Sequence, residues 1–344
     1  MSNGYPATLA PEFLQQYVKS LDRRIGIESV SKDKTVKGQV DAWVRNQHSR
    51  HVAGKISAGR YDAYQRNVDV FVEWIRPGTD ISGITAQKLR DYYDWLCQQI
   101  GSGRFSPAYS RSLFNAAKNF ISRVAELGLM PLPGNIRSKD FTFDESPQEI
   151  AYFSRVEIRF LLSECDQTSA RTKLFLLLML NCGMYQSDIA DLKPSEVDLG
   201  RGVITRRRSK RKRHGLKVTY KLWPETIELL RRFGSFDGDL VLTSEDGNRL
   251  VSYRVPKGEF KRYDLIGQAY NKVRKRAGVT KPIKVFRKTS ANTLDQHRVY
   301  RTFCPYFLAH APRTVTEVSY VGSPPEELFF EAIDWLREEL LVKP

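Results

Sequence analysis

From Ser57 to Gly128 the apolar residues recur at helical spacing, and the pattern is cut by pairs of residues that helices do not cross. Tyr61, Tyr64, Val68, Phe71, Val72 and Ile75 stand three or four apart, which marks one face of a helix. Pro77-Gly78 stops it. Thr85-Ala86-Gln87-Lys88 opens a second helix, with Leu89, Tyr92, Tyr93 and Leu96 on its apolar face, and Gly101-Ser102-Gly103 breaks it. Ser106-Pro107 offers an N-cap followed by a first-turn proline, and a third helix runs through Leu113, Ala117, Phe120, Ile121 and Val124 to Gly128. Stripes this short bury their apolar faces on one another, so residues 55–130 read as a compact all-α domain. Pro131-Leu132-Pro133-Gly134 and the polar stretch after it read as a linker over 131–150. Residues 1–54 read as an N-terminal arm or accessory segment, with a short helix from Leu9 to Leu21 and basic groups at Arg23-Arg24 and His48-Ser49-Arg50-His51.

A second domain is expected over 151–344. Ser154 and Glu157 form a capping box that opens a helix. Arg171 to Asn181 is a strongly apolar helix, Cys182-Gly183-Met184 interrupts it, and Gln186 to Leu192 resumes. Asp198 to Gly202 is a turn into Val203-Ile204-Thr205, and Lys217 to Leu222 alternates again, so the two runs read as a β-hairpin. Between them lie Arg206, Arg207, Arg208, Ser209, Lys210, Arg211, Lys212 and Arg213, seven cations in eight residues, read as a long basic tip. Further on, the pattern predicts a helix over Pro224–Phe233, a short strand over Leu240–Thr243 and a helix over Ile266–Ala277. Phe329, Ile333, Leu336 and Leu340 form a C-terminal helical stripe. The fold class expected is therefore mainly α with a small β-hairpin or sheet, in two domains.

The 344 residues carry 55 Lys and Arg against 39 Asp and Glu, a net charge of +16. Such an excess favours a polyanionic partner, most often nucleic acid. The four cysteines, Cys97, Cys165, Cys182 and Cys304, are far apart and form no Cys-x-x-Cys pair, which argues against a zinc site or a disulfide framework and fits a reducing compartment. The N-terminus has no basic-then-apolar leader pattern. The longest apolar run, Leu174 to Leu180, is too short to span a bilayer. A cytoplasmic protein is expected, nucleoid-associated in a bacterium.

The candidate chemistry lies between Lys284 and Tyr320. Lys284 and Arg287 are three apart and would share a helical face. Leu308-Ala309-His310 and Tyr320 follow. Two cations, a proton donor and a phenol suit attack on a phosphodiester without metal. In order and spacing these boxes resemble the catalytic domain of the tyrosine recombinase (phage integrase) family, over roughly 55–340. Arg287 and His310 stand 23 residues apart, similar to the family's spacing, while the ten from His310 to Tyr320 are about one more than usual.

The resemblance implies a fold and a set of roles. The domain over 55–130 would be the family's core-binding domain, which clamps double-stranded DNA, with Arg60, Arg66, Arg111 and Lys118 as candidate phosphate contacts. Residues 151–344 would be the catalytic domain with its C-terminal helix. Tyr320 would attack the scissile phosphate, form a 3′-phosphotyrosine bond and release a 5′-hydroxyl, with no metal or cofactor. Arg287 would clamp the phosphate through its two-pronged guanidinium. His310 would hydrogen-bond a non-bridging oxygen or shuttle a proton, and Lys284 holds the place of the family's Lys or His. Lys210 would protonate the leaving oxygen, with Lys212 as its rival. Arg206, Arg207, Arg208, Arg211, Lys212 and Arg213 would grip phosphates.

One box departs from the family. Gly183-Met184-Tyr185-Gln186-Ser187-Asp188-Ile189 sets Tyr185 where the family's first Arg is expected, although Asp188 and Leu192 match. Arg171 and the tip arginines are the candidate substitutes, and the sequence selects none of them. Three functions are consistent with this reading. The first is a site-specific recombinase or integrase of a mobile element, self-associating as dimer to tetramer on paired DNA sites. The second is a DNA-binding protein of the same fold with impaired or absent catalysis. The third is a relaxing enzyme resembling type IB topoisomerases. The helix after Tyr320 would either dock on a neighbouring protomer, as in relatives, or lie in its own core.

Overall fold

The computed structural model describes residues 33–144, 149–207, 216–254, 261–310 and 325–343. The chain forms two compact units divided after Gln148. The expected helix at Leu9–Leu21 lies outside the described residues.

The first unit is built from α1 (Val36–Val52), α2 (Ala58–Ile75), α3 (Ala86–Gly101) and α4 (Pro107–Glu126). Each begins on a hydroxyl cap: Thr35, Ser57, Thr85 and Ser106 accept from the N–H groups of Gly38, Arg60, Lys88 and Tyr109. Such caps contribute about 1 kcal/mol each. The helices converge on Val36, Val40, Trp43, Val68, Phe71, Leu89, Tyr92, Leu113, Phe120 and Ile121. The packed unit thus extends past the expected 55–130 limits at both ends. The stripe of α1 is thin, with Gln39 and Gln47 sharing the buried face, so it reads as polar. After α4, Ile136 and Phe143 return to the same core. Arg111 and Tyr93 hold that returning segment through the carbonyls of Phe143 and Thr142.

The second unit starts at α5 (Arg155–Thr168), where both bonds of the Ser154/Glu157 capping box are present. It is centred on α6 (Ala170–Asn181), buried from Leu174 to Asn181. A helix apolar on all sides is a core helix, and α5, α8 (Pro224–Phe233), α10 (Val285–Gln296) and α12 (Glu326–Arg337) surround it. After α6 the chain turns at Cys182–Met184 into the short α7 (Gln186–Ala190). Gly183 has φ +56°, and a Cβ there would lie 2.9 Å from the Phe307 ring, so the turn requires glycine twice over.

The antiparallel sheet runs β1 (Val197–Asp198), β2 (Val203–Arg207), β3 (Lys217–Lys221), with Val203 opposite Lys221 and Arg206 opposite Val218. Leu240–Thr243 is not a strand: Thr243 makes only an isolated bridge to Arg249. The strands lie further on, as a second hairpin of β4 (Val251–Arg254) and β5 (Lys261–Asp264). Their polar, cationic sequences hide the alternation that marks a strand. The helices α9 (Leu265–Arg276) and α11 (Cys304–Phe307) complete the unit.

The C-terminal helix α12 packs on its own unit, against β3, α6 and α10. Trp223 Nε1 donates to the Ile333 carbonyl at 3.0 Å, Lys221 pairs with Asp334 at 2.6 Å, and Arg337 grips Glu225 with two prongs. The helix thus lies against the core of its own unit, as the second of the two readings expects. Its stripe is continued by Leu340 in a wider terminal turn, Glu338–Val342. Among the described residues no helix is long and apolar enough to cross a membrane.

Candidate active site

Four segments of the second unit meet at one small cleft: the Cys182–Met184 turn with Asp188 behind it, strands β2 and β3 through Arg206 and Tyr220, α10 through Arg287, and the end of α11 through Ala309. The geometry is fixed largely by the way α11 ends. The Ala309 N–H donates to the Tyr306 carbonyl and the His310 N–H to the Pro305 carbonyl, the paired bonds of a Schellman stop. Such a stop needs a left-handed residue, and Ala309 takes that place at φ +46°. The remaining carbonyls at this end are met from outside. Tyr220 Oη donates to Phe307 O at 2.8 Å, and Arg287 Nη2 donates to Leu308 O at 2.7 Å. His310, half-buried, is thereby placed one residue beyond the cleft wall.

Arg287 is 3% exposed. Its guanidinium lies 4.7 Å above the centre of the Tyr185 ring, a cation–π contact. Tyr185 caps the start of α7, and its N–H donates to Asp188 Oδ2 at 3.0 Å. The structure thus brings the Tyr185 box, Arg287 and the His310 box together. Lys284 is exposed, immediately ahead of the first turn of α10. Its backbone is already helical, at φ −59° and ψ −16°, three residues ahead of the buried Arg287.

The main correction concerns Arg206, expected at a solvated tip to grip phosphate. Strand β2 continues through Arg207, and strand alternation puts Ile204 and Arg206 on the inner face while Arg207 is exposed. Arg206 is 4% exposed, and its Nη1 donates to the Asp188 carbonyl. Asp188 is equally buried. Among the described residues two guanidiniums, Arg206 and Arg287, and one carboxylate, Asp188, line the cleft. Burial pushes the Tyr220 phenol well above its ordinary range, with Arg287 and Arg206 pulling against it. Burial does the same to the Cys182 thiol, again opposed by Arg206, so Cys182 is no nucleophile at neutral pH.

Arg171, the other substitute considered for the missing arginine, is engaged elsewhere. Its Nη2 donates to the Thr243 carbonyl, and its guanidinium lies 6.0 Å from the Phe175 ring centre. In the helical unit Arg60 is exposed and donates to Tyr64 Oη, and Arg66 pairs with Asp62 at 2.7 Å. Arg111 holds Phe143, and Lys118 lies 5.7 Å from the Phe114 ring centre, where burial lowers its pKa. Tyr320, Lys210, Arg208, Arg211, Lys212 and Arg213 lie outside the described residues. Tyr220 and the inward turn of Arg206 escaped the sequence reading. The signal for the latter was present, since Ile204 and Arg206 are two apart in a strand.

The phage integrase family model matches residues 152–327. The chain belongs to this family, the tyrosine recombinases. Its fold is that of several solved integrases. A lambda integrase (residues 75–356) dimer bound to a COC′ core site matches with a TM-score of 0.60 at 15% identity, over 81% of this chain and 96% of that one. A lambda integrase tetramer bound to a Holliday junction gives 0.60 at 15%, over 88% and 87%. The Tn1549 transposon integrase (residues 82–397), in complex with circular intermediate DNA, gives 0.56 at 13%, over 86% and 98%. No curated protein sequence matches the chain.

Proposed function

We propose that this protein is a site-specific DNA recombinase that cuts and rejoins DNA through a 3′-phosphotyrosine bond. The observation that carries the reading is the buried, carbonyl-oriented Arg287 beside the Leu308-Ala309-His310 turn, in a cleft that Arg206 also lines. A pentacoordinate phosphate gathers negative charge on its non-bridging oxygens, and a preset guanidinium answers it without reorganising. In this reading Tyr320 is the nucleophile. Its oxygen bonds to phosphorus as the bond to the 5′ oxygen breaks. Lys210 on the basic hairpin gives that oxygen its proton, with Lys212 the rival. His310 hydrogen-bonds the phosphate, and Lys284 approaches it from the exposed start of α10. The bond energy stays in the phosphotyrosine, so no cofactor is needed. Arg207, Arg208, Arg211, Lys212 and Arg213, with Arg60 and Arg66 of the helical unit, would hold the DNA backbone. Arg111 and Lys118 would reach it only beside their structural contacts. The solved lambda integrase dimer and tetramer on DNA support self-association on paired sites.

The test is a nicked suicide duplex and a gel for a covalent protein–DNA adduct. The adduct is expected with EDTA present. It should vanish in Tyr320→Phe while DNA binding stays. An adduct mapped to another tyrosine, or a strict Mg²⁺ requirement, refutes the assignment. The second reading, DNA binding without cleavage, rests on Tyr185, which brings no charge where the family has Arg. It predicts duplex binding with no adduct under any condition.

A further inference from the structure

We propose that Arg206 of strand β2 supplies the second phosphate-clamping guanidinium, replacing from the sheet the arginine that the Tyr185 turn lacks. This rests on the recombinase reading above and concerns the same site. Two observations carry it. The first is position: Arg206 is turned inward and reaches the carbonyl of Asp188, three residues beyond Tyr185 on the same short helix. The side chain thus reaches the short helix that Tyr185 opens, but from a different element. The second is company: Arg206 and Arg287 line one cleft, both nearly fully buried and both oriented by a main-chain carbonyl. A guanidinium has five N–H donors, so one oriented by protein acceptors can also take a phosphate oxygen. Arg206 and Arg287 also act on the same buried phenol, Tyr220.

The rival cations fail on placement. Arg171 is held at Thr243, and Arg207 faces outward. Arg206 moves no proton in this scheme. As the Tyr320 oxygen bonds to phosphorus and the 5′ oxygen leaves, it stabilises only the charge on a non-bridging oxygen.

The experiment uses the full chain, wild type against Arg206→Gln and Arg206→Lys, each checked for folding by thermal melting and for duplex binding. Adduct formation is measured on a nicked duplex with an ordinary scissile phosphate, and again with a neutral methylphosphonate there. Arg206→Gln should slow the ordinary reaction by about 10²–10³, and the methylphosphonate should recover much of that loss, because a charge needing a cation is gone. Arg206→Lys should fall between, and it decides the matter if the Gln variant does not fold. Equal loss on both substrates means a purely structural role and overturns the inference, as does wild-type reactivity in a folded variant. Orthovanadate binding to the full chain separates this from the recombinase reading. If the wild type forms no adduct, that reading fails, but a tenfold or greater weakening of vanadate by Arg206→Gln upholds Arg206 as an oxyanion ligand. Unchanged vanadate affinity overturns it.

Discussion

The basic residues of the helical unit and the two arginines of the cleft carry the same charge in opposite settings. Arg60 and Arg66 stand in solvent, each within reach of a neighbour on its own helix. Arg206 and Arg287 are sealed in the second unit and aimed by main-chain carbonyls. A cation in water gains little from any one contact and is screened by salt. A buried guanidinium is costly to place, and once placed it is preset for an anion. The first kind can supply affinity. The second kind can supply chemistry.

This division predicts a large salt effect on binding that has no counterpart in the cleft. If about six to ten phosphate contacts form, duplex affinity should fall about 10³–10⁵-fold between 50 and 200 mM salt, read by fluorescence anisotropy. The slope should be unchanged in Arg287→Lys, which keeps the charge. A flat salt response would remove nucleic acid as the main partner and end the comparison.

Arg287→Lys probes the other side. Lysine keeps the charge but loses the fork and the preset geometry. The rate of adduct formation should drop by about 10²–10³, while duplex affinity stays within about threefold. Equal falls in rate and affinity would place Arg287 among the binding cations. Tyr185→Arg bears on the same point. With Arg206 already in place, a third guanidinium beside Arg287 should crowd the cleft and lower adduct formation. A rise would instead mean that the site lacks a clamp, and no change would mean that residue 185 does not face the phosphate.

The contrast also explains what the sequence could disclose. Periodicity and caps placed α2, α3, α4 and α5 closely, because Ser57, Thr85, Ser106 and Ser154 act locally, on N–H groups three residues away. The Lys284–Arg287 and Leu308–His310 boxes were legible because their spacing is a family pattern, and the structure does bring Arg287 and the His310 turn together. Helix α1 was missed because Gln39 and Gln47 occupy part of its buried face. The inward turn of Arg206 was missed because a run of seven cations suggests solvent throughout. Only the pairing of Arg206 with Val218 shows that the strand enters the core before the tip begins. Local signals are written in the sequence, whereas a long-range partner such as the Asp188 carbonyl is not.

A smaller effect is expected at the wall of the cleft. Ala309 holds a left-handed conformation that disfavours any side chain. Ala309→Gly should relieve that strain, partly offset by the greater freedom of glycine in the unfolded chain. The net gain should be about 0.5–1 kcal/mol, or about 1–4 °C in the melting temperature. A loss of stability would mean that the buried methyl group contributes more by packing than its backbone costs.

The smallest effect should come from Arg66, and it tests the comparison from the solvent side. Its pair with Asp62 spans one helical turn, and the Arg66 side chain is 69% exposed. Exposed pairs of this spacing contribute about 0.3–0.5 kcal/mol. Arg66→Ala should therefore leave the melting temperature almost unchanged. If the residue touches DNA, the variant should lower the salt slope by about one while leaving the rate of adduct formation on bound duplex untouched. A fall in that rate at saturating DNA would show that a solvent-facing cation of the helical unit contributes to the chemistry. Affinity and catalysis would then share residues, and the division between exposed and buried cations would fail.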